Sequence, residues 1–144
     1  MRGRRVSVSP FSQFWEVEKL TIDEAIKEID TLKPNAYPED IKVRWLSRID
    51  GTIKREVINT HEGGESQPFE GYGEDQLGQG VQLLAPEPYS ELYVHYLASQ
   101  IDLHNAETAR YNNSSIVFNT AYQTFTDWYN RTHLPLQQNS IRTV

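Results

Sequence analysis

His61-Glu62-Gly63-Gly64-Glu65 opens like the helix of a zinc protease, where two histidines four residues apart hold the metal and the glutamate between them serves as base. Glu65 stands where the second histidine is needed, and two glycines disfavour the helix that would put both ligands on one face. His95, His104 and His133 are spread too widely to supply a local metal-binding pair. Gly71-Tyr72-Gly73 and Gly78-Gln79-Gly80 resemble pieces of a phosphate loop, but neither the dinucleotide spacing nor a Gly-Lys-Ser/Thr ending follows them. The carboxylates around them would repel phosphate, and the glycines are read as turn residues with freedom to take positive φ.

Carboxylates are the commonest reactive groups, with Glu74-Asp75, Glu62/Glu65 and Asp102/Glu107 as the nearest pairs. Acid–base catalysis by two carboxyls needs a fixed separation and two distinct environments, which an acidic glycine-rich stretch does not announce. The spaced ligand series of an EF-hand is missing as well. No Gly-x-Ser-x-Gly elbow accompanies the serines, and the absence of cysteine removes thiol nucleophiles, thiolate metal sites and disulfides. No catalytic, cofactor-binding or metal-ligating set is assigned, and the expectation is a non-enzymatic protein.

The charge distribution says more than the motifs. The 144 residues carry a net charge of −6, with 38% hydrophobic and 24% charged residues, a globular composition of one-domain size. Residues 1–55 contain 11 Lys/Arg and 9 Asp/Glu, and residues 110–144 contain three Arg and one Asp. Between them, residues 56–109 carry ten carboxylates and no Lys or Arg. Such a stretch is unsuited to gripping a phosphate backbone, and its charges must face water or meet basic groups elsewhere. No apolar run reaches the roughly 18 residues of a membrane span. The basic start at Arg2, Arg4 and Arg5 lacks the apolar core of a secretory signal, so a cytoplasmic start is the simpler expectation.

The elements that must position these groups are mainly α. Residues 1–20 read as an N-terminal arm, with Phe11, Phe14 and Trp15 as anchors. Thr21-Ile22-Asp23-Glu24 has the pattern of a capping box and begins a helix over 22–32. Pro34 and Pro38 break the chain, and Ile41, Trp45, Ile49, Ile53 and Val57 mark an amphipathic helix over 39–59. Residues 61–87 form an acidic, glycine-rich insertion, read as a loop or a small hairpin with strands near 67–72 and 80–84. Pro88 opens a third helix, with a break placed at Tyr111-Asn112-Asn113-Ser114. A fourth helix follows with Val117, Phe118, Ala121, Tyr122, Phe125, Trp128 and Tyr129 on one face, and 136–144 reads as a tail. The expected architecture is a four-helix bundle-like domain over 21–135. Tyr96, Tyr122, Phe125 and Trp128 are expected to fill its core, while Tyr89, Tyr93, Tyr111, Trp128 and Tyr129 are packing or interface aromatics.

Residues 32–57, the Pro-Tyr-Ser-Glu-Leu-Tyr run at 88–93, Asn105-Ala106-Glu107, Tyr111-Asn112-Asn113 and Tyr129-Asn130-Arg131 together resemble a family of small head-to-tail connector proteins of tailed bacteriophages and Gram-positive prophages. The resemblance covers roughly 21–135. It implies a helical subunit of a ring beneath the capsid portal, extending the DNA channel and docking the next connector or stopper protein, with no cofactor. The location it implies is the bacterial host cytoplasm during assembly and the virion neck afterwards. The basic N-terminal arm departs from the family pattern. On this reading Glu62, Glu65, Glu70, Glu74 and Asp75 either line the lumen, where a repulsive wall lets DNA pass, or pair with a basic face of the adjacent copy formed by Arg44, Arg48, Lys54 and Arg55. The competing class is a helical regulatory protein that binds nucleic acid or a protein partner through the 39–59 helix, with Lys42 joining that basic set.

Overall fold

In the computed structural model, which describes residues 18–136, Thr21 caps the first helix as its pattern requires. Its Oγ1 accepts from Glu24 N at 3.1 Å, and Glu24 Oε1 accepts from Thr21 N at 3.0 Å. Helix α1 (Ile22–Leu32) then buries Ile22, Ala25, Ile26 and Ile29, the side of the helix set by three- and four-residue spacing. After the Pro34–Pro38 connection comes α2 (Glu39–Glu56), which ends in a short 3-10 turn, Ile58–Thr60, so the expected 39–59 helix is regular for all but its last turn.

Helices α3 (Glu91–His104) and α4 (Thr108–Thr132) complete the set. The expected break at 111–114 lies instead at Asn105–Glu107, and Tyr111 to Ser114 are inside α4. Ala106 takes φ 59°, while Glu107 N donates to Asp102 O and Ala106 N to Leu103 O, both at 3.0 Å. These bonds satisfy the last carbonyls of α3 in the way a left-handed residue after a helix does, so backbone closure rather than Asn/Ser capping decides the boundary.

The chain is mainly helical, with four α-helices and one two-stranded sheet among the described residues. The sheet corrects the expected hairpin. Strand β2 (Gln82–Pro86) pairs antiparallel with β1 (Lys19–Thr21), not with residues 67–72, which form no strand. Lys19 faces Pro86 and Thr21 faces Gln82, with Ile22 N donating to Val81 O and Glu87 N to Glu18 O beyond the ladder. Leu83, Ala85 and Pro86 are buried by this pairing, an environment that a hairpin projecting into solvent would not provide.

The core is continuous from α1 through α2 and α3 to the lower half of α4, with Leu46, Ile53, Leu83, Leu92, Leu97 and Phe125 all nearly sealed from water. On the far end, Glu62 N donates to Leu134 O and Leu136 N to Thr60 O, so the segment after α4 is stitched to the end of α2. Residues 1–17 of the expected arm and 137–144 of the expected tail lie outside the described residues.

Candidate functional site

The acidic insertion is held on α2 by a buried carboxylate. Asp50 falls on the apolar side of α2 between Leu46 and Ile53 and is fully buried. Its Oδ1 accepts from Tyr93 Oη at 2.5 Å, and its Oδ2 accepts from Tyr72 Oη at 2.5 Å and from Leu84 N at 3.0 Å. Tyr93 Oη in turn accepts from Ala85 N at 2.7 Å. One carboxylate thus ties α2 to the insertion, to β2 and to α3. Burial pushes its pKa up to about 6, against the opposing effect of the three donors and the charge of Lys19. Burial, followed by the Asp50 charge, also raises the Tyr72 and Tyr93 hydroxyls above the ordinary tyrosine value.

Further ties fix the insertion along its length. Lys54 Nζ donates to Asn59 Oδ1 at 2.5 Å and to Gly64 O at 2.6 Å. Tyr72 N donates to Ser47 Oγ, and both carboxylate oxygens of Asp23 accept from Gly78 N at 3.0 Å. Gly64 is required sterically: a Cβ there would sit 1.9 Å from Ile58 O. Three short 3-10 turns, Ile58–Thr60, Gly64–Ser66 and Glu74–Gln76, take up backbone bonds that a strand or helix would otherwise satisfy. The insertion is therefore a tethered platform rather than a free loop.

That platform displays Glu62, Glu65, Glu70, Glu74 and Asp75, all exposed. Beside it on α2, Arg44, Arg48 and Arg55 are exposed at intervals of four and seven residues, which puts them in one row along the helix. Among the described residues, none of these eight groups is in an ion pair with another group of the chain. Two members of the expected basic set drop out of the row. Lys54 is turned inward to Asn59 and Gly64, and Lys42 is buried with its ammonium 2.6 Å from Asp30. Lys42 is thus buried and Lys54 half-buried, because their helical positions lie toward packed neighbours, where a long side chain can carry its charge to an acceptor.

The aromatics divide differently from expectation. Tyr93, read as a packing or interface residue, is wholly internal and polar-bonded to Asp50. Tyr129 is nearly buried, with its ring stacked on His133 at 3.8 Å between centroids and edge-on to His61 at 4.8 Å. Tyr89 and Trp128 stack at 5.0 Å and stay half-exposed, as does Tyr111. Phe125 is sealed in the core, whereas Tyr96, Tyr122 and Trp128 pack on its margin. Burial raises the Tyr96 hydroxyl, opposed by the nearby Arg48 guanidinium; burial and then Glu56 push Tyr122 up to about 12.

His61 is buried, with Nδ1 2.6 Å from Val57 O and Nε2 2.9 Å from Asn130 Oδ1. The two ring nitrogens thus link the end of α2 to the last turn of α4. The carboxylate pair Asp102/Glu107 is also separated: Asp102 is buried, accepts from Ser114 Oγ at 2.9 Å through Oδ2 and has the Lys33 ammonium 3.1 Å from Oδ1, while Glu107 faces Arg110. Oδ1 of Asp102 receives no hydrogen bond, so the Lys33 contact is ionic proximity without hydrogen-bond alignment. Among the described residues, no three His, Asp or Glu side chains converge as a metal site, and no helix is long and apolar enough to cross a membrane.

Sequence reasoning missed Asp50, although the signal was present: a carboxylate inside an apolar helical stripe needs buried donors. Which tyrosines would supply them could not be read from spacing. Comparison with protein-family models, curated proteins and solved structures finds no match to this chain.

Proposed function

We propose that this chain is a structural subunit of a phage head-to-tail connector ring, bundle-like in its helical body, that docks on the portal and extends the DNA channel toward the tail. The observation that carries the reading is the exposed Arg44/Arg48/Arg55 row lying beside an exposed acidic platform, with no ion pair among those groups. Opposite charges left open on neighbouring patches of one subunit can be met by those of another copy in a head-to-tail sense, and a heterologous contact whose rotation closes makes a ring. The tethers to Asp50, Ser47, Lys54 and Asp23 support the same reading, because a preformed acidic surface loses little conformational entropy on docking. The residue resemblance supplies the biological setting.

The nucleic-acid alternative is weaker. With Lys42 and Lys54 withdrawn, three arginines remain, flanked by carboxylates that would repel a phosphate backbone.

Co-assembly with the cognate portal, imaged by electron microscopy, tests the proposal. A variant with Glu62, Glu65, Glu70, Glu74 and Asp75 neutralised is expected to lose the closed ring while keeping its fold by circular dichroism. An Arg44→Glu/Arg48→Glu variant should fail likewise alone and regain assembly when mixed with a charge-reversed platform. Unchanged rings in the neutralised variant would overturn the intersubunit role of the platform, and failure of the unaltered chain to join a portal would overturn the connector reading.

A further inference from the structure

Helix α4 exposes a face that the rest of the molecule does not resemble. Residues 111–126 are sixteen in a row without a charged side chain, in a chain that is 24% charged. The inner side of this stretch meets the core through Phe118, Ala121, Tyr122 and Phe125. Its outer side carries Ile116, 62% exposed, and Val117, 46% exposed, among Asn112, Asn113, Asn119, Thr120, Gln123 and Thr124. Ile116, Asn119, Thr120, Gln123 and Thr124 line a shallow depression of about 370 Å³.

The charged residues that bracket this stretch along the chain come in the same order at both ends: Glu107 then Arg110 before it, 3.5 Å apart as an ion pair, and Asp127 then Arg131 after it. If a second α4 runs antiparallel with its centre at Phe118–Asn119, Arg110 of each copy comes level with Asp127 of the other, and Glu107 with Arg131. Both pairings fall in register at one centre, within a residue. A parallel arrangement brings like charges level instead. Two chains of net charge −6 repel over most of their surfaces, and this neutral face is where that repulsion is least.

We infer that the outer face of α4 pairs with a second copy of this chain in an antiparallel, two-fold contact centred at Phe118–Asn119. The occupant is set by charge register rather than by apolar area. One helix per partner falls short of the roughly 1,200 Å² that stable interfaces bury, so the pairing is a weak, concentration-dependent dimer. Being isologous, it closes at two copies and leaves the acidic platform and the arginine row free. It does not rest on the ring proposal.

The chain has no cysteine, which makes single-cysteine cross-linking clean. At equal concentration near 100 µM, a scale suited to weak association, Asn119→Cys is expected to form a covalent dimer with a short bis-maleimide at least tenfold faster than Asn112→Cys. The two copies of residue 112 would stand about 20 Å apart along the helix axis, from the 1.5 Å rise per residue. Sedimentation equilibrium of the unmodified full chain should show mass rising from monomer toward dimer over the same range. Ile116→Arg should hold it at monomer mass with an unchanged melting temperature. Equal cross-linking at both positions would show parallel or random encounter and overturn the inference. So would monomer mass for the unmodified chain at every concentration, or a dimer that Ile116→Arg leaves intact.

Discussion

Tyr93 Oη lies 2.5 Å from Asp50 Oδ1, with both side chains sealed from solvent and 43 residues apart in the chain. This bond joins the middle of α2 to the first turn of α3 and makes the acidic insertion between them part of the core. Removing the acceptor strands three donors. Asp50→Ala is therefore expected to cost roughly 3 kcal/mol or more, and Tyr72→Phe about 1.5–3 kcal/mol, the range for a hydrogen bond to a charged group. Urea denaturation with matched slopes checks both. Tyr72→Phe should in addition speed proteolysis within 62–76, because Tyr72 is the insertion's own tie to Asp50.

The same carboxylate makes stability pH-dependent, with a sign opposite to that of a salt-bridged aspartate. Its folded pKa, about 6, exceeds the ordinary aspartate value of 3.8, so between these values the folded state holds more protons than the unfolded one. Stability from this group is greatest below about pH 4 and is lost as pH rises through 6. The shift corresponds to roughly 3 kcal/mol between the two limits. Thermal melts of the unaltered chain and Asp50→Asn at pH 4.5 and 7.5 isolate it, since other carboxylates cancel in the comparison. The gap between the two proteins should shift in favour of Asp50→Asn as pH rises, and a constant gap would refute the assignment.

Gly64 has no room for a methyl group, because a Cβ would lie 1.9 Å from the backbone oxygen of Ile58. Gly64→Ala should destabilise by about 2–4 kcal/mol through backbone displacement. At Gly73 a Cβ meets Asp75 Oδ1 at 2.7 Å, the end of a movable side chain, so Gly73→Ala is expected to cost under about 1.5 kcal/mol. The difference between the two denaturation midpoints is the measurement.

Ala106 is the described non-glycine residue with positive φ, 59°. A Cβ in the left-handed region costs about 1–2 kcal/mol. Ala106→Gly relieves that strain while loosening the unfolded chain, so the expected net gain is about 0.5–1 kcal/mol. A rise in melting temperature is the check, and a fall would show that the Ala106 methyl contributes packing that outweighs the strain.

Local rules made α1 legible to the residue. Its capping pair, its apolar spacing and the prolines that follow are all short-range, and the helix runs over Ile22–Leu32 as they require. The same rules located α2 and the aromatic face of α4. They misplaced the α3–α4 boundary because Ala106 closes α3 with a left-handed turn that neither its residue type nor its neighbours advertise.

The sequence by itself determined the helical composition, the charge-free span of α4 and the acidity of the insertion, because each depends on residue type at near spacing. Tertiary structure alone decided that β2 would pair with β1, that Lys42 and Lys54 would leave the basic row, and that Asp50 would be met by Tyr72 and Tyr93. Those outcomes turn on buried polar groups finding partners dozens of residues away. Desolvation makes such pairing obligatory, but only the packed chain determines which partner is within reach.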